Sequence, residues 1–291
     1  MSFCSFRPMS FEADENYPSS TFHKELKLKK REFLVLTSSA LAAASSFGQV
    51  AGIEEREMEY RIDGLPFKGF VALPKGKGKV PGVVVIHEWW GHNEYARQRA
   101  RQLAELGYAA FALDMYGSGK TADDPQGAQK LMTEAFASGQ IQARFDGALR
   151  ILKSEPRVDQ QRVAAIGYCF GGNVVLSMAR AGEPLKAVVS FHGSLPPPAN
   201  LKKNSVTAEV LVLHGGEDAF VSPEAVQQFK SEMTAANANY KFIVYPGAKH
   251  GFTDADNSER GERHHIPIGY SKEADQQSWG EMKALFKRIL V

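Results

Sequence analysis

From residue 58 onward the chain alternates short apolar, β-rich runs with amphipathic stretches of helical period, and this rhythm restricts the fold more than any other feature of its 291 residues. Strands separated by helices build a mostly parallel sheet that must be covered on both faces. The predicted strands are Met58 to Ile62, Phe67 to Leu73, Val83 to His87, Tyr108 to Leu113, Val163 to Gly167, Ala187 to Phe191, Val210 to His214 and Tyr240 to Tyr245. Asp63-Gly64, between the first two, is a hairpin signal. Helices are predicted over Glu94 to Leu106, Pro125 to Ala137, Ile141 to Leu152, Gly172 to Ala181, Pro223 to Ala236 and Lys272 to Leu290, with Gly107 and Gly182 suited to C-terminal caps. At 43% hydrophobic residues the chain can bury one sizeable core, and no internal repeat or low-complexity linker sets off its second half. The expectation is an α/β fold, an about eight-stranded sheet spanning residues 51–291 as one domain, with its chemistry at the carboxyl ends of the strands.

The first fifty residues read differently. Lys24, Lys27, Lys29, Lys30 and Arg31 precede a weakly apolar stretch, Phe33 to Ala44, followed by small residues, which is the layout of a secretory signal. The stretch falls short of the roughly 20 apolar residues a membrane span needs. Lys30-Arg31-Glu32-Phe33-Leu34 is a twin-arginine-like motif with lysine for the first arginine, and Ala42-Ala43-Ala44 suits cleavage. The expectation is an exported protein, periplasmic if bacterial. The plainer alternative is a cytoplasmic protein with a disordered tail.

A net charge of +2 gives no broad field to draw nucleic acid or an anionic membrane, which leaves small molecules as the expected partners. The two cysteines, Cys4 and Cys169, form neither a disulfide framework nor a C-x-x-C pair. Cys169 stands out by its setting. Gly167-Tyr168-Cys169-Phe170-Gly171 follows a predicted strand and precedes a helix, as a nucleophile elbow does, with cysteine in the serine position. A free thiol titrates at about 8.5, and a helix start together with a nearby histidine favours its thiolate. Alone, the motif also fits a small cysteine in a glycine-rich turn.

The order of the other parts gives it meaning. Asp218 follows the next-to-last strand and His250 the last, the order nucleophile, acid, histidine. Histidine takes a proton from the nucleophile and returns it to a leaving group, while a carboxylate fixes its tautomer. Cys169, Asp218 and His250 are therefore the expected catalytic set.

Together with Val84-Val-Ile-His-Glu88-Trp-Trp-Gly91, Gly107-Tyr-Ala-Ala-Phe-Ala-Leu-Asp-Met-Tyr116, Gly216-Glu-Asp218 and His250-Gly-Phe252, these motifs make the chain from about Glu57 onward resemble the dienelactone hydrolase family of α/β-hydrolases. The resemblance implies the α/β-hydrolase fold and hydrolysis of lactones or other carboxylic esters through an acyl-cysteine, with neither metal nor organic cofactor. It implies that Glu88 controls the resting thiol and is displaced when substrate arrives. The backbone amides of Phe170 and Trp89 would form the oxyanion hole. Trp90 and Tyr116 are candidate walls of the substrate pocket.

His87, Glu88 and His92 form H-E-x-x-x-H, one residue too long for a zinc helix motif, so no metal is expected. His192 and His214 are expected to support the pocket, and Arg97, Arg99 and Arg101 to form a solvated helix face. Arg260, Arg263, His264 and His265 lie in a polar insertion that reads as a surface loop or lid. The family's namesake substrate carries a carboxylate that two arginines bind, and neither matches here: the second position falls at Thr253-Asp254. An anionic substrate would need Arg260 or Arg263; otherwise a neutral ester or lactone fits better. A thioesterase, an acyl-peptide hydrolase or a noncatalytic binding protein could carry the same residues. The sequence sets no oligomeric state.

Overall fold

The computed structural model describes residues 52–291, so the expected signal and its cleavage site lie outside the described residues. Eight strands form one sheet in the order β1-β2-β4-β3-β5-β6-β7-β8: β1 Ile53–Ile62, β2 Leu65–Pro74, β3 Val80–Ile86, β4 Ala109–Leu113, β5 Val158–Tyr168, β6 Ala187–Phe191, β7 Glu209–Gly215 and β8 Tyr240–Tyr245. The helices are α1 Glu94–Glu105, α2 Pro125–Ala137, α3 Ile141–Ser154, α4 Phe170–Arg180, α5 Pro223–Ala235, α6 Asn257–His264 and α7 Lys272–Ile289. Only the β1–β2 and β2–β4 pairings are antiparallel. Asp63 and Gly64, at φ 49° and 81°, make the expected two-residue hairpin turn, with Ile62 opposite Leu65.

The parallel strands are apolar at almost every position because both faces are covered. Along β3, Val84 and Ile86 join the core that holds Phe145 and Val174 of α3 and α4, while Val83 and Val85 join the core that holds Leu103 and Phe286 of α1 and α7. None of the described helices is long and apolar enough to cross a membrane.

Two elements depart from expectation. The polar insertion contains α6, a helix with no apolar stripe to announce it. Its arginines pair one turn back, the half-buried Arg260 with Asp256 and the exposed Arg263 with Glu259. The other departure is Arg99, expected in solvent but 6% exposed. Residues two apart on a helix lie on nearly opposite sides, so Arg99 cannot share a face with Arg97 and Arg101. It points into the protein, bonded to Asp275 at 2.6 Å and flanked by the rings of Tyr95, Tyr168 and Trp279.

The strand order has one consequence for chemistry. β3 lies between β4 and β5, so the chain leaves β3 toward one side of the sheet and β5 toward the other. Their carboxyl ends open a crevice at this reversal.

Candidate active site

β5 ends at Tyr168 and α4 begins at Phe170, which leaves Cys169 alone to make the turn, at φ 52° and ψ −113°. Such a backbone is strained for a side chain with a Cβ and persists only where the surroundings impose it. The flanking glycines let them. A Cβ on Gly167 would run into the carbonyl of Gly171, and one on Gly171 into those of Ile86 and His87. That second close approach also carries a hydrogen bond, Gly171 N–H to His87 O at 3.2 Å, which ties the elbow to the loop after β3. Cys169 is a free, half-buried thiol.

His250, on the loop after β8, donates from Nδ1 to Asp218 Oδ2 at 2.8 Å. Asp218 Oδ1 accepts the Phe220 amide at 2.9 Å, which fixes the carboxylate. Burial by itself would lower the pKa of His250, but the Asp218 carboxylate and the hydrogen-bonded Cys169 outweigh it and hold the imidazole well above its ordinary range. For Asp218, burial is likewise outweighed, by the charge and hydrogen bond of His250, and its carboxyl stays below the usual range. The three groups expected from chain order thus meet at the carboxyl ends of β5, β7 and β8. The pair favours an imidazolium, the form that stabilises an adjacent thiolate.

The loop after β3 is braced from two sides. His87 approaches the Glu88 carbonyl through Nδ1 at 2.5 Å and accepts the Met115 amide at Nε2 at 3.1 Å, which assigns its one proton to Nδ1. Burial lowers its pKa, so it is a neutral brace rather than a base. Tyr116 donates its hydroxyl to Trp89 O at 2.9 Å. The carboxylate of Asp114 accepts the amides of Lys68, Tyr116, Gly117 and Gly119 and thereby shapes the loop that carries Tyr116. Among the described residues, the amides of Trp89 and Phe170 donate to no other group. They remain available to a developing oxyanion.

Glu88 is 3% exposed. Its Oε1 receives one long hydrogen bond, from Asn257 Nδ2 at 3.4 Å, and lies 3.7 Å from His192 Nε2. Its Oε2 has no partner among the described residues. Burial, then the Asp254 carboxylate, push its pKa up to about 8. Trp90 is buried, with Trp89 and the Arg260 guanidinium against its indole. Arg260 itself donates to Asp254 at 2.7 Å, and Arg263 is an exposed partner of Glu259. Both candidate anion-binding arginines are already engaged by carboxylates. His192 lies against His250 and Phe252, whereas His214 lies against Phe242, behind the triad acid.

Tyr95, Thr253, Asp114 and Asn257 also serve the site, though none belongs to the expected catalytic set. Asp114 had a visible signal, an acid closing an apolar strand before Gly117 and Gly119. Tyr95 and Thr253 had none, because their pairing joins residues 158 positions apart.

Residues 67–290 match the model of the dienelactone hydrolase family. Protein usf of Aquifex pyrophilus is 31% identical over 241 residues, which span 80% of this chain and 98% of that protein. Among solved structures, a dienelactone hydrolase-like promiscuous phosphotriesterase from metagenomic libraries is 34% identical, with a TM-score of 0.77 over 82% of this chain and all of the other. A second, m3DLH, is 36% identical with a TM-score of 0.76 over the same shares.

Proposed function

The chain belongs to the dienelactone hydrolase family and is a carboxylic ester hydrolase, and from that premise we propose that it cleaves neutral esters or lactones through an acyl-enzyme intermediate on Cys169. The observation that carries this reading is the strained elbow cysteine hydrogen-bonded to a histidine that Asp218 orients. With the shared proton already on His250, the Cys169 sulfur attacks the carbonyl carbon as a thiolate. The oxyanion forms between the amides of Phe170 and Trp89. As the tetrahedral intermediate collapses, the bond to the leaving oxygen breaks, and His250 returns its proton to the departing alkoxide. Water, deprotonated by His250, then attacks the acyl-cysteine, which releases the acid and restores the thiolate beside the imidazolium.

The neutral substrate follows from the cations. Arg260 is held by Asp254 and Asp256, and Arg144 donates to Met115 O at 2.5 Å, so neither is a free partner for a substrate carboxylate. Asp254 itself would repel one.

The test is steady-state turnover of a panel of neutral aryl esters, neutral and carboxylated lactones, acyl thioesters, an acyl-peptide and a phosphotriester, the last being the class named for the structural relative. Cys169→Ala is expected to abolish turnover in a folded protein. Combining it with His250→Ala should cost hardly more, because the two act as a unit. Near-wild-type rates in Cys169→Ala would make Cys169 a packing residue. A marked preference for the carboxylated lactone would refute the neutral-substrate reading, and a preference for thioesters or acyl-peptides would move the assignment to those classes.

A further inference from the structure

Of the large apolar side chains exposed among the described residues, one stands against the catalytic histidine. Phe220 is 49% exposed, and its ring meets that of His250 edge-on, at 4.9 Å between centroids. The segment that carries it is fixed on both sides. Its amide donates to Asp218 Oδ1 at 2.9 Å, Val221 is buried, and the Ser222 hydroxyl accepts the Ala225 amide at 3.2 Å where α5 begins. A ring so anchored and yet half in water adds little to the core, and water contact of its apolar surface is unfavourable unless something covers it.

The other sides of the imidazole are taken. Nδ1 bonds Asp218, the second nitrogen shares a hydrogen bond with Cys169, and the buried His192 packs against the ring at 5.5 Å. Of these neighbours only Phe220 and the half-buried Cys169 reach solvent, so substrate enters between them.

Ester cleavage sends the two halves of the substrate to different places. The acyl carbon bonds the Cys169 sulfur with its oxygen on the amides of Phe170 and Trp89, so the acid half is held by the elbow and the loop after β3. The leaving oxygen must come within about 3 Å of the His250 nitrogen that protonates it. The group it carries therefore lies beside the imidazole on the side open to solvent, where Phe220 stands. A ring borne one carbon from that oxygen can settle about 4.5–7 Å from the Phe220 ring, the range in which aromatic pairs attract.

We propose that Phe220 determines specificity on the alcohol side of the reaction, selecting neutral esters whose leaving group is an arylmethyl alcohol over those that carry the same ring on the acid. The inference rests on the reading of Cys169 as nucleophile and His250 as proton donor to the departing alkoxide. A ring that only shielded the His250–Asp218 hydrogen bond from water would serve every ester alike, and the two roles are separable by experiment.

The test uses two isomers, benzyl acetate and methyl phenylacetate, which carry one phenyl ring on opposite sides of the ester. kcat/KM is measured for each with the purified full-length protein, and the readout is the ratio of benzyl acetate to methyl phenylacetate, in which any general effect on the triad cancels. Because kcat/KM ends with release of the alcohol, hydrolysis of the acyl-enzyme does not enter it. Phe220→Ala is expected to lower the ratio roughly tenfold, about the worth of one lost aromatic contact. Phe220→Leu, apolar but not aromatic, should lower it by less, and Phe220→Tyr should keep the wild-type ratio. A ratio that is unchanged or raised in Phe220→Ala overturns the inference, equal losses with both esters being the signature of a mere shield. Absence of benzyl acetate turnover by the wild type overturns it as well. Failure of the nucleophile reading would show elsewhere, as turnover of either ester by Cys169→Ala.

Discussion

Replacing Glu88 by glutamine should reshape the pH dependence of stability as well as of activity. In the unfolded chain this carboxyl titrates near its model value of 4.5, and in the folded protein burial and Asp254 raise it to about 8. Between those values the unfolded state has lost the proton and the folded state still holds it, so folding loses stability as pH rises. The contribution is fully present below the unfolded pKa and gone once pH passes the folded one. Each unit is worth about 1.4 kcal/mol, so from pH 5 to pH 8 the wild type should lose ~4 kcal/mol that a permanently neutral glutamine does not. At 3% exposure little solvent screening reduces this figure. For a domain of this size the loss corresponds to a Tm change of about 10 °C. The assay is a series of thermal melts of wild type and Glu88→Gln from pH 5 to pH 9, read as the difference in Tm at each pH. Taking the difference cancels the titration of His250, Asp218 and the surface carboxylates. Wild type should fall steadily relative to the variant up to about pH 8 and run parallel above it. Turnover should show the matching alkaline decline in wild type and lack it in whatever activity the variant retains. A Tm difference that does not vary with pH would mean that Glu88 is ionised throughout, and the electrostatic account of the site would fail.

Gly167→Ala should cost ~3 kcal/mol or more, because its Cβ overlaps the Gly171 backbone, and urea melts showing less than about 1 kcal/mol would refute that packing. Asp275→Asn leaves the Arg99 charge buried without its counter-charge and should cost ~3–5 kcal/mol in the same melts. Tyr116→Phe frees the Trp89 carbonyl, and a roughly tenfold fall in kcat at unchanged KM is expected, whereas a change in KM alone would make Tyr116 a pocket wall only. Mass spectrometry of protein recovered from its native cell should find an amino terminus near Ser45, and an intact Met1 would refute export.

What the sequence disclosed follows the range of the forces involved. Strands and most helices were legible because burial on one or two faces writes a period into neighbouring residues. Cys169, Asp218 and His250 were legible because parallel topology places successive strand ends together, so chain order stands in for geometry. Helix α6 was not, since side-chain pairing and its packing beneath Trp90 hold it without an apolar stripe. Arg99 was misread as a surface charge because three alternating arginines look alike in a string, while the helix turns the middle one inward onto Asp275. Long-range pairings such as Tyr95 with Thr253 leave no local pattern at all.

Asp254 shows how one position can alter two properties of the site. From the sequence it only removes an expected cation. In the folded protein it also engages Arg260, the cation offered as a replacement, and its charge helps hold Glu88 protonated. These effects favour the same class of substrate. A neutral ester needs no arginine to bind it, and a neutral Glu88 needs no incoming carboxylate to draw it away from the thiol. On this account the gate implied by the family resemblance, a glutamate that controls the resting thiol and is displaced when substrate arrives, starts here from an uncharged Glu88. Asp254→Asn separates the two effects. It should lower the pH at which the Glu88-dependent alkaline decline begins, because the repelling charge is gone, and it should release Arg260 to improve KM for a carboxylated lactone. If both quantities stay at their wild-type values, Asp254 influences neither Glu88 nor substrate charge, and the neutral-substrate preference must be traced to the shape of the pocket instead.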